Sequence, residues 1–458
     1  MPSLPPEDQQ TFDRLKDELE VARPKFDLAD GYYDGAQKLE QLGLAIPDEL
    51  MKYTVIVNLP RLAVDARTER LEVKSFRRPG QDSGDLDLWR LWQVNDMDEQ
   101  DMLSRLDFEV YGRSYLCVGS SDEAGGDPII TTESPYQIIT ERDARTRQIT
   151  AALRLYDPDA TKGARGDDRR ATLYLPNETI WLIRDGGQWI YDGEPDRHGL
   201  GMVPVCPAFR ARRTTLPAFR TLQGTSAMAD VIPVTDAAAR NLTNAQIGQE
   251  THAVPARGVL GATKGDFVGD DGEPLPTWAA YFGSIWSLAN KDAKTFQFDA
   301  SDMKNFETMH DLYMRTGAGL ASVPPNYVGL AADDAASADA IRSREARLVR
   351  SVELDQIALG NARERAMRIA DRLKNGKWDD DLTQMECEWY DAGTPTYASR
   401  VDAVVKQYAV TDAAGRPLMS RQSALEELGW SSQRIRTELD RLAEEASDPY
   451  LERLGDKG

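Results

Sequence analysis

Between Ser337 and Lys374 the chain carries no proline, and no glycine before Gly360. A stretch of that kind has few options besides one continuous helix, which at 1.5 Å per residue spans roughly 50 Å. Its apolar positions Ile341, Leu348, Val352, Leu359, Ala366, Ala370 and Leu373 recur at steps of 7, 4, 7, 7, 4 and 3, so they share one face and that face is buried. The remaining faces hold nine cations (Arg342, Arg344, Arg347, Arg350, Arg363, Arg365, Arg368, Arg372, Lys374) and five acids (Glu345, Glu353, Asp355, Glu364, Asp371). Two readings of this basic surface stand: a solvated face laced with pairs such as Arg342 with Glu345, Arg350 with Glu353 and Glu364 with Arg368, or a surface turned to phosphate or to an acidic neighbouring subunit.

The helix is basic in an acidic chain. With 55 Lys and Arg against 76 Asp and Glu the net charge is -21, which excludes a protein that grips nucleic acid over its whole surface. It leaves open one that lets nucleic acid pass. Duplex DNA carries one charge per about 1.7 Å, and every neutralised phosphate is a contact that must break before the duplex slides. At 458 residues about two to four domains are expected. No run of about 18 apolar residues is present, so no membrane-spanning helix is expected, and MPSLPPEDQQTFDRLKDELE does not read as a secretory signal. Cys117, Cys206 and Cys387 form no CxxC pair and are expected reduced and buried, and His198, His252 and His310 share no metal-ligand spacing.

Along the chain, Glu7 to Val21 reads as an amphipathic helix ended by Pro24, Tyr32 to Gly35 as a turn, and Pro60 as the first turn of a helix running to about Leu71. Asp85 to Glu109 reads as helical, with Leu86, Leu88, Leu91, Met97, Met102 and Leu106 as core candidates. Eight β-favourable runs follow, beginning near Ser114, Ile129, Gln137, Ile149, Ala171, Thr179, Gln188 and Val203. Arg212 to Arg220 is a linker. A helix from about Ala227 to Gln249 is kinked or delayed by Pro233, Ala253 to Gly261 is extended, and a helix from Asp302 is ended by Gly317 and Gly319. Pro324 and Pro325 open a mobile loop. Strand-like Glu388 to Asp391 and helices at Ala398 to Tyr408, Ser420 to Leu428 and Ser432 to Ala446 complete the chain.

Catalytic signatures are missing: Gly261 to Asp266 lacks the P-loop spacing, and no GxGxxG, HExxH or GxSxG occurs. The acidic residues Asp266, Asp270, Asp271 and Glu273 do not follow the calcium-loop pattern. Asp379, Asp380 and Asp381 read as surface charge. No catalytic residue, cofactor or metal is assigned.

In this order the chain resembles the portal proteins of tailed phages, in the branch with long non-contractile tails and within it those of actinobacteriophages. The resemblance covers most of the chain. It rests on Tyr32-Tyr33-Asp34-Gly35, on Val57-Asn58-Leu59-Pro60 with Val64-Asp65 and Arg70-Leu71, on Gly201-Met202-Val203-Pro204-Val205, and on Gly224-x-Ser226 with Asp230-Val231-Ile232 and Asp236-Ala237. Most specific is Ser322-Val323-Pro324-Pro325 followed by Ser337-Ala338-x-Ala340-Ile341 and the long basic helix. One departure is Asp334-Ala335-Ala336-Ser337-Ala338, where the family commonly carries Ser-Gly.

The resemblance implies a predominantly helical α+β multidomain portal fold: an α+β wing over 1–220, stem helices over 221–250 and 299–320, a clip over 251–298, a tunnel loop over 321–336, a long wing helix over 337–375 and a crown over 376–458. It implies a ring, usually of twelve subunits, at one vertex of the virion, through which double-stranded DNA enters the procapsid and later leaves. Val323, Pro324, Pro325, Asn326, Tyr327, Asp333 and Asp334 would face the channel. Asp266, Asp270, Asp271, Glu273 and Trp278 would lie in the clip, where the large terminase subunit and later the head-completion adaptors dock. Major capsid and scaffolding proteins would be further partners, and Arg342, Arg344, Arg347 and Arg350 would meet a neighbouring subunit or phosphate. The competing readings are another ring-forming head-tail connector and a metal-dependent nuclease using the Asp379 or Asp266 cluster.

Overall fold

The computed structural model describes residues 4–37, 52–81, 83–121, 123, 125–157, 169–211, 224–252, 257–260, 294–297, 303–330, 338–393, 397–412 and 415–446. These form two units: 1–37, 58–235 and 315–458 in one, 38–57 and 236–314 in the other.

The larger unit begins with α1 (Pro6–Tyr33). Its buried positions Phe12, Leu15, Leu19, Ala22, Phe26 and Ala29 step by three and four straight through Pro24. A proline inside a helix costs roughly 3 kcal/mol, and the expectation that it ends the helix fails here. Each large apolar side chain buried beyond it contributes about 1.5–3 kcal/mol, so Phe26 and Tyr32 outweigh the lost hydrogen bond. The helix stops at the expected turn, where Gly35 takes φ 69°. Next, α2 (Leu59–Thr68) starts on Asn58, whose side chain accepts the Arg61 N–H, with Pro60 in the first turn as expected. Strand β1 (Val73–Arg77) follows, unforeseen in the sequence.

The helical stretch expected over Asp85 to Glu109 is built as two helices. Asp85 caps α3 (Leu86–Val94) through the N–H groups of Asp87 and Leu88, and Asp96 at φ 50° breaks the chain before α4 (Met97–Tyr111). The break rotates the second half, so Leu88, Leu91 and Met97 are buried while Leu86 and Met102 are exposed.

All eight β-favourable runs are strands: β2 (Arg113–Gly119), β3 (Ile129–Glu133), β4 (Ile138–Arg142), β5 (Ile149–Tyr156), β6 (Arg170–Tyr174), β7 (Thr179–Asp185), β8 (Gln188–Tyr191) and β9 (Val205–Phe209). They pair antiparallel as a five-stranded meander, β4-β5-β6-β7-β8, and a three-stranded sheet, β3-β2-β9. Alternation along the strands assigns the layers. Leu153, Leu155, Leu173 and Ile180 meet Phe12, Leu15 and Leu19 of α1. On the opposite face Ile138, Ala152 and Tyr174 meet Tyr115, Cys117 and Val205 of the smaller sheet. The far face of that sheet, with Leu116 and Cys206 paired in register, packs on α4 and on the long helix. Beside the N-terminal half of α1 the order is therefore α1, large sheet, small sheet, helices, while Phe26, Ala29 and Tyr32 of its C-terminal half pack directly on α2 and α4.

The smaller unit contains most of α5 (Ile232–His252), β10 (Arg257–Leu260) paired antiparallel with β11 (Lys294–Gln297), and most of α6 (Lys304–Ala321). Pro233 sits in the first turn of α5, so it delays the start, one of the two outcomes foreseen. Gly317 and Gly319 do not end α6. A Cβ on Gly317 would stand 2.7 Å from Leu59 Cδ1, which makes this glycine a contact site within the helix.

Back in the larger unit, α7 (Ala338–Asn375) is the expected long helix, 38 residues in one piece. Strand β12 (Glu386–Trp389) then pairs antiparallel with β1, Phe76 opposite Cys387. Helices α8 (Tyr397–Tyr408), α9 (Arg421–Glu427) and α10 (Ser432–Ala446) finish the described chain. Arg77 reaches Glu426 of α9 at 2.9 Å, which ties this C-terminal region to β1. All three cysteines are free, Cys117 and Cys206 buried and Cys387 half-buried.

Candidate functional site: the Pro-Pro corner and the long helix

The C-terminus of α6 is a Schellman turn. The Val323 N–H donates to Ala318 O at 3.0 Å and the Ser322 N–H to Gly319 O at 3.3 Å, with Ser322 in the left-handed position at φ 63° where glycine is usual. Pro324 follows and, having no N–H to donate, cannot continue the α-helix. A single 3₁₀ turn, Pro325–Val328, closes on Gly329 at φ 75°. Val323 and Pro324 are buried, whereas Pro325 and Asn326 are exposed. The described half of the expected mobile loop is thus an anchored corner, because an apolar residue and two prolines lose little entropy when fixed.

Two arginines hold that corner against α7. The Arg70 guanidinium donates to Tyr327 Oη at 3.0 Å, to Glu345 Oε1 at 3.2 Å and to Ala392 O at 2.7 Å, while the Tyr327 hydroxyl donates to Glu345 at 2.8 Å. Burial, then the Glu345 acceptor, raises the Tyr327 pKa, so the phenol stays a donor. Arg67 donates to Ala321 O at 3.2 Å and to the Ser351 hydroxyl, and lies 3.6 Å from Asp355. Arg347 donates to Gly319 O at 3.3 Å. Two cations therefore sit on carbonyls at the negative end of α6, where positive charge is favoured.

Below the corner the charges are deeply buried. Asp355 and Glu109 are both 0% exposed. Arg210 stands 3.2 Å from Glu109 and 3.6 Å from Asp355. Burial and the Asp355 charge push the Glu109 carboxyl up to about 8, against the pull of Arg210 and Arg67. Farther along α7, Arg363 is also fully buried, contrary to its assignment to a solvated face. It pairs with Asp101, donates to Leu359 O at 3.0 Å and lies over the Trp389 ring at 5.5 Å. Arg105 holds the same Asp101 at 3.1 Å. Near the helix end Lys374 pairs with Asp127 at 3.1 Å. The rod is pinned along most of its length to α2, α4 and β12.

A close backbone approach fixes the segment leading to α5. A Cβ on Gly224 would lie 1.6 Å from Gly112 O, and Ala227 N–H donates to Glu109 O at 2.9 Å. Gly224-x-Ser226 is therefore a packing requirement. No other residue fits between these strands of chain.

The expected site residues divide three ways. Val323, Pro324, Pro325, Asn326 and Tyr327 come together at the corner, with Arg347 beside it. Arg344 and Arg350 are exposed on α7, Arg350 paired to Glu353 at 2.7 Å. Glu364, expected to pair with Arg368, instead accepts the Cys387 N–H at 2.9 Å. Asp333, Asp334, Asp266, Asp270, Asp271, Glu273, Trp278 and the linker 212–220 lie outside the described residues, as does the Arg342 side chain. The sequence missed Arg67, Arg70, Arg210 and Glu109. In the sequence Arg70 stands out only as part of a motif, and nothing local marks such residues as buried.

The Asp379 cluster is committed elsewhere. Asp379 accepts from Arg78, which also binds Asp85 at 2.6 Å and lies 3.7 Å from Asp371, and the Arg78 hydrogen bond lowers the Asp379 pKa. Among the described residues no three His, Cys, Asp or Glu side chains converge as metal ligands, and no helix is long and apolar enough to cross a membrane.

The sequence matches the phage portal protein family, SPP1 Gp6-like, over residues 13–449. It is 36% identical over 435 residues to the portal protein of Mycobacterium phage L5, spanning 93% of this chain and 86% of that one. Against the portal protein of Mycobacterium phage D29 it is 36% identical over 434 residues, with the same shares. Among solved structures, a chain from the virion of a native gene transfer agent particle aligns with a TM-score of 0.42 at 15% identity, over 84% of this chain and 94% of that one. A chain from the neck of the native particle computed with C12 symmetry aligns with a TM-score of 0.41 at 14% identity, over 81% and 88%.

Proposed function

Since the chain belongs to the SPP1 Gp6-like family of phage portal proteins, we propose that copies of it close into a ring, twelve in number, at one vertex of a phage head. Double-stranded DNA passes through that ring into the procapsid and out again at infection. The observation that carries this is 36% identity to portal proteins across 93% of the chain. The net charge of -21 supports it physically, because an acidic ring lets a duplex slide where a basic one would hold it.

In this reading the corner 322–330 and the residues up to 336 form the tunnel loop, and α7 is the strut behind it. The helical ends of the smaller unit are the stem, and the antiparallel β10–β11 pair supports a clip over 251–298, where the large terminase subunit and then the adaptors dock. Residues 1–220 form the wing and 376–458 the crown, and the major capsid and scaffolding proteins are further partners of the ring. The ring is not itself an enzyme; packaging energy comes from the terminase. The commitment of Asp379 to Arg78 disfavours a nuclease at Asp379 to Asp381, since a metal ion would have to displace the guanidinium.

Electron microscopy of the purified protein, alone and with scaffolding and capsid proteins, tests the reading. Rings with a central hole are expected. A compact monomer at high concentration in both preparations overturns it.

A further inference from the structure

Two helices of the larger unit carry complementary faces. On α1 the residues opposite the buried stripe are exposed, among them Asp13, Asp17, Val21 and Leu28. Val21 is 70% and Leu28 43% exposed. On α7 the exposed stripe opposite Leu348, Val352 and Leu359 runs through Arg347, Arg350, Leu354 and Ile357. Leu354 is 38% and Ile357 59% exposed. One face is acidic with large apolar side chains uncovered, and the other is basic with large apolar side chains uncovered.

Their placement decides what can cover them. The N-terminal half of α1 packs on the outer face of the large sheet, its C-terminal half packs on α2 and α4, and α7 packs on the small sheet. Both faces are left uncovered within one copy. A contact between different patches on two identical molecules is heterologous, and repeated with a rotation it closes a ring.

The spacing of residues adds a direction. Setting Val21 beside Leu354 with the helices running the same way also sets Asp17 beside Arg350, four residues back on each, and Asp13 within one residue of Arg347. Running the helices oppositely from Val21 on Ile357 brings Leu28 to Arg350 and Asp17 to Asn361. Only the first register pairs acid with base and apolar with apolar.

We infer that α1 of one copy lies roughly parallel against the exposed stripe of α7 in the next copy, with Val21 on Leu354 and Asp13 and Asp17 facing Arg347 and Arg350. This rests on the ring reading above and specifies the contact that closes the ring. It assigns the exposed arginines of α7 to a neighbouring subunit and not to DNA phosphate.

Engineered cysteines test it. Val21→Cys combined with Leu354→Cys is expected to give a ladder of cross-linked copies on non-reducing gels after mild oxidation, because each copy offers both positions. Val21→Cys alone should give no ladder, and Val21→Cys with Asn361→Cys should cross-link at least tenfold less. As a second arm, Arg350→Glu should abolish rings seen by microscopy, and Asp17→Lys in the same chain should restore them; both positions are exposed, so the fold is retained. Rings without a ladder, or rings untouched by Arg350→Glu, overturn the pairing and leave the ring reading standing. If Arg350→Glu spares the rings but lowers affinity for duplex DNA, phosphate is the occupant and the inference falls. Absence of rings in the unmodified protein overturns both.

Discussion

Replacing Arg363 by Met tests whether the long helix is held by buried charge. Arg363 has no exposed surface, and its partner Asp101 is 2% exposed. Methionine matches the arginine stem only as far as Nε and carries no charge, so Arg363→Met keeps the packing of the stem, removes the guanidinium from over Trp389 and strands the Asp101 carboxylate. Stranding one partner of a buried pair costs about 3–5 kcal/mol. Arg105, at 3.1 Å from the same carboxylate, still compensates it in part, which places the expectation near the low end, about 3 kcal/mol. With a urea m-value of about 3 kcal/mol per M, the unfolding midpoint then drops by roughly 1 M. The double variant Asp101→Leu with Arg363→Met buries no uncompensated carboxylate and should recover about 2 kcal/mol of the sum of the two single losses, a coupling of the size expected for residues in direct contact. Urea titrations followed by far-ultraviolet circular dichroism measure all four corners of this cycle. A single-variant loss below about 1 kcal/mol, or strictly additive losses, refutes the idea that this pair fixes α7 to α4.

Glu109→Gln addresses the pH dependence. An acid whose folded pKa is about 8 keeps a proton that the unfolded chain releases above its ordinary value near 4.5, so this group makes stability fall as pH rises between those two values. The variant should lack that slope, gaining on the wild type by on the order of 2–4 kcal/mol from pH 5 to pH 8; parallel profiles in thermal unfolding would contradict it. Gly224→Ala, which drives a Cβ into the Gly112 carbonyl, should lose more than about 3 kcal/mol or fail to fold. Gly317→Ala meets only the movable end of Leu59 and gains helix propensity, so it should stay within about 1 kcal/mol of wild type; equal losses at the two positions in a solubility and melting assay would argue against the backbone contact. Tyr327→Phe removes a hydroxyl shared by Arg70 and Glu345 and should cost about 1.5 kcal/mol while leaving ring assembly unchanged and lowering the yield of DNA-filled heads in a complementation assay.

The local signals were read correctly wherever one segment decided its own structure. Every β-favourable run is a strand, the long helix is continuous, and Pro60 and Pro233 stand in first turns. Failures occurred where a distant surface outvoted a local preference. Pro24 is carried through a helix by the burial of Phe26 and Tyr32, Gly317 is kept for Leu59 rather than for helix termination, and β1 exists because β12, more than 300 residues later, supplies its partner. The candidate site shows the same division. Pro324 and Pro325 announce a corner, but its anchors Arg67 and Arg70 are ordinary arginines in sequence and become visible only when α2, α6 and α7 are brought together.

The same principle resolves the basic helix. A count of cations along α7 invites a phosphate track, yet their surroundings show what most of them touch. Arg363 is in the core, and Arg365 and Arg368 lie close enough to Cys206 to oppose the burial that pushes its thiol up to about 12. Arg372 stands 5.9 Å over Trp378, Lys374 binds Asp127 and Arg347 binds a helix terminus. Charge held this way fixes the helix to its own body instead of attracting a passing duplex. In the proposed ring, a strut beside a moving polyanion would need both properties: stiffness from buried pairs, whose breakage costs several kcal/mol, and little unpaired positive charge facing the path. An all-apolar α7 would be as firmly packed, but its register against α4 and β12 would rest on shape alone, whereas the Arg363–Asp101 and Arg67–Asp355 pairs accept only one alignment.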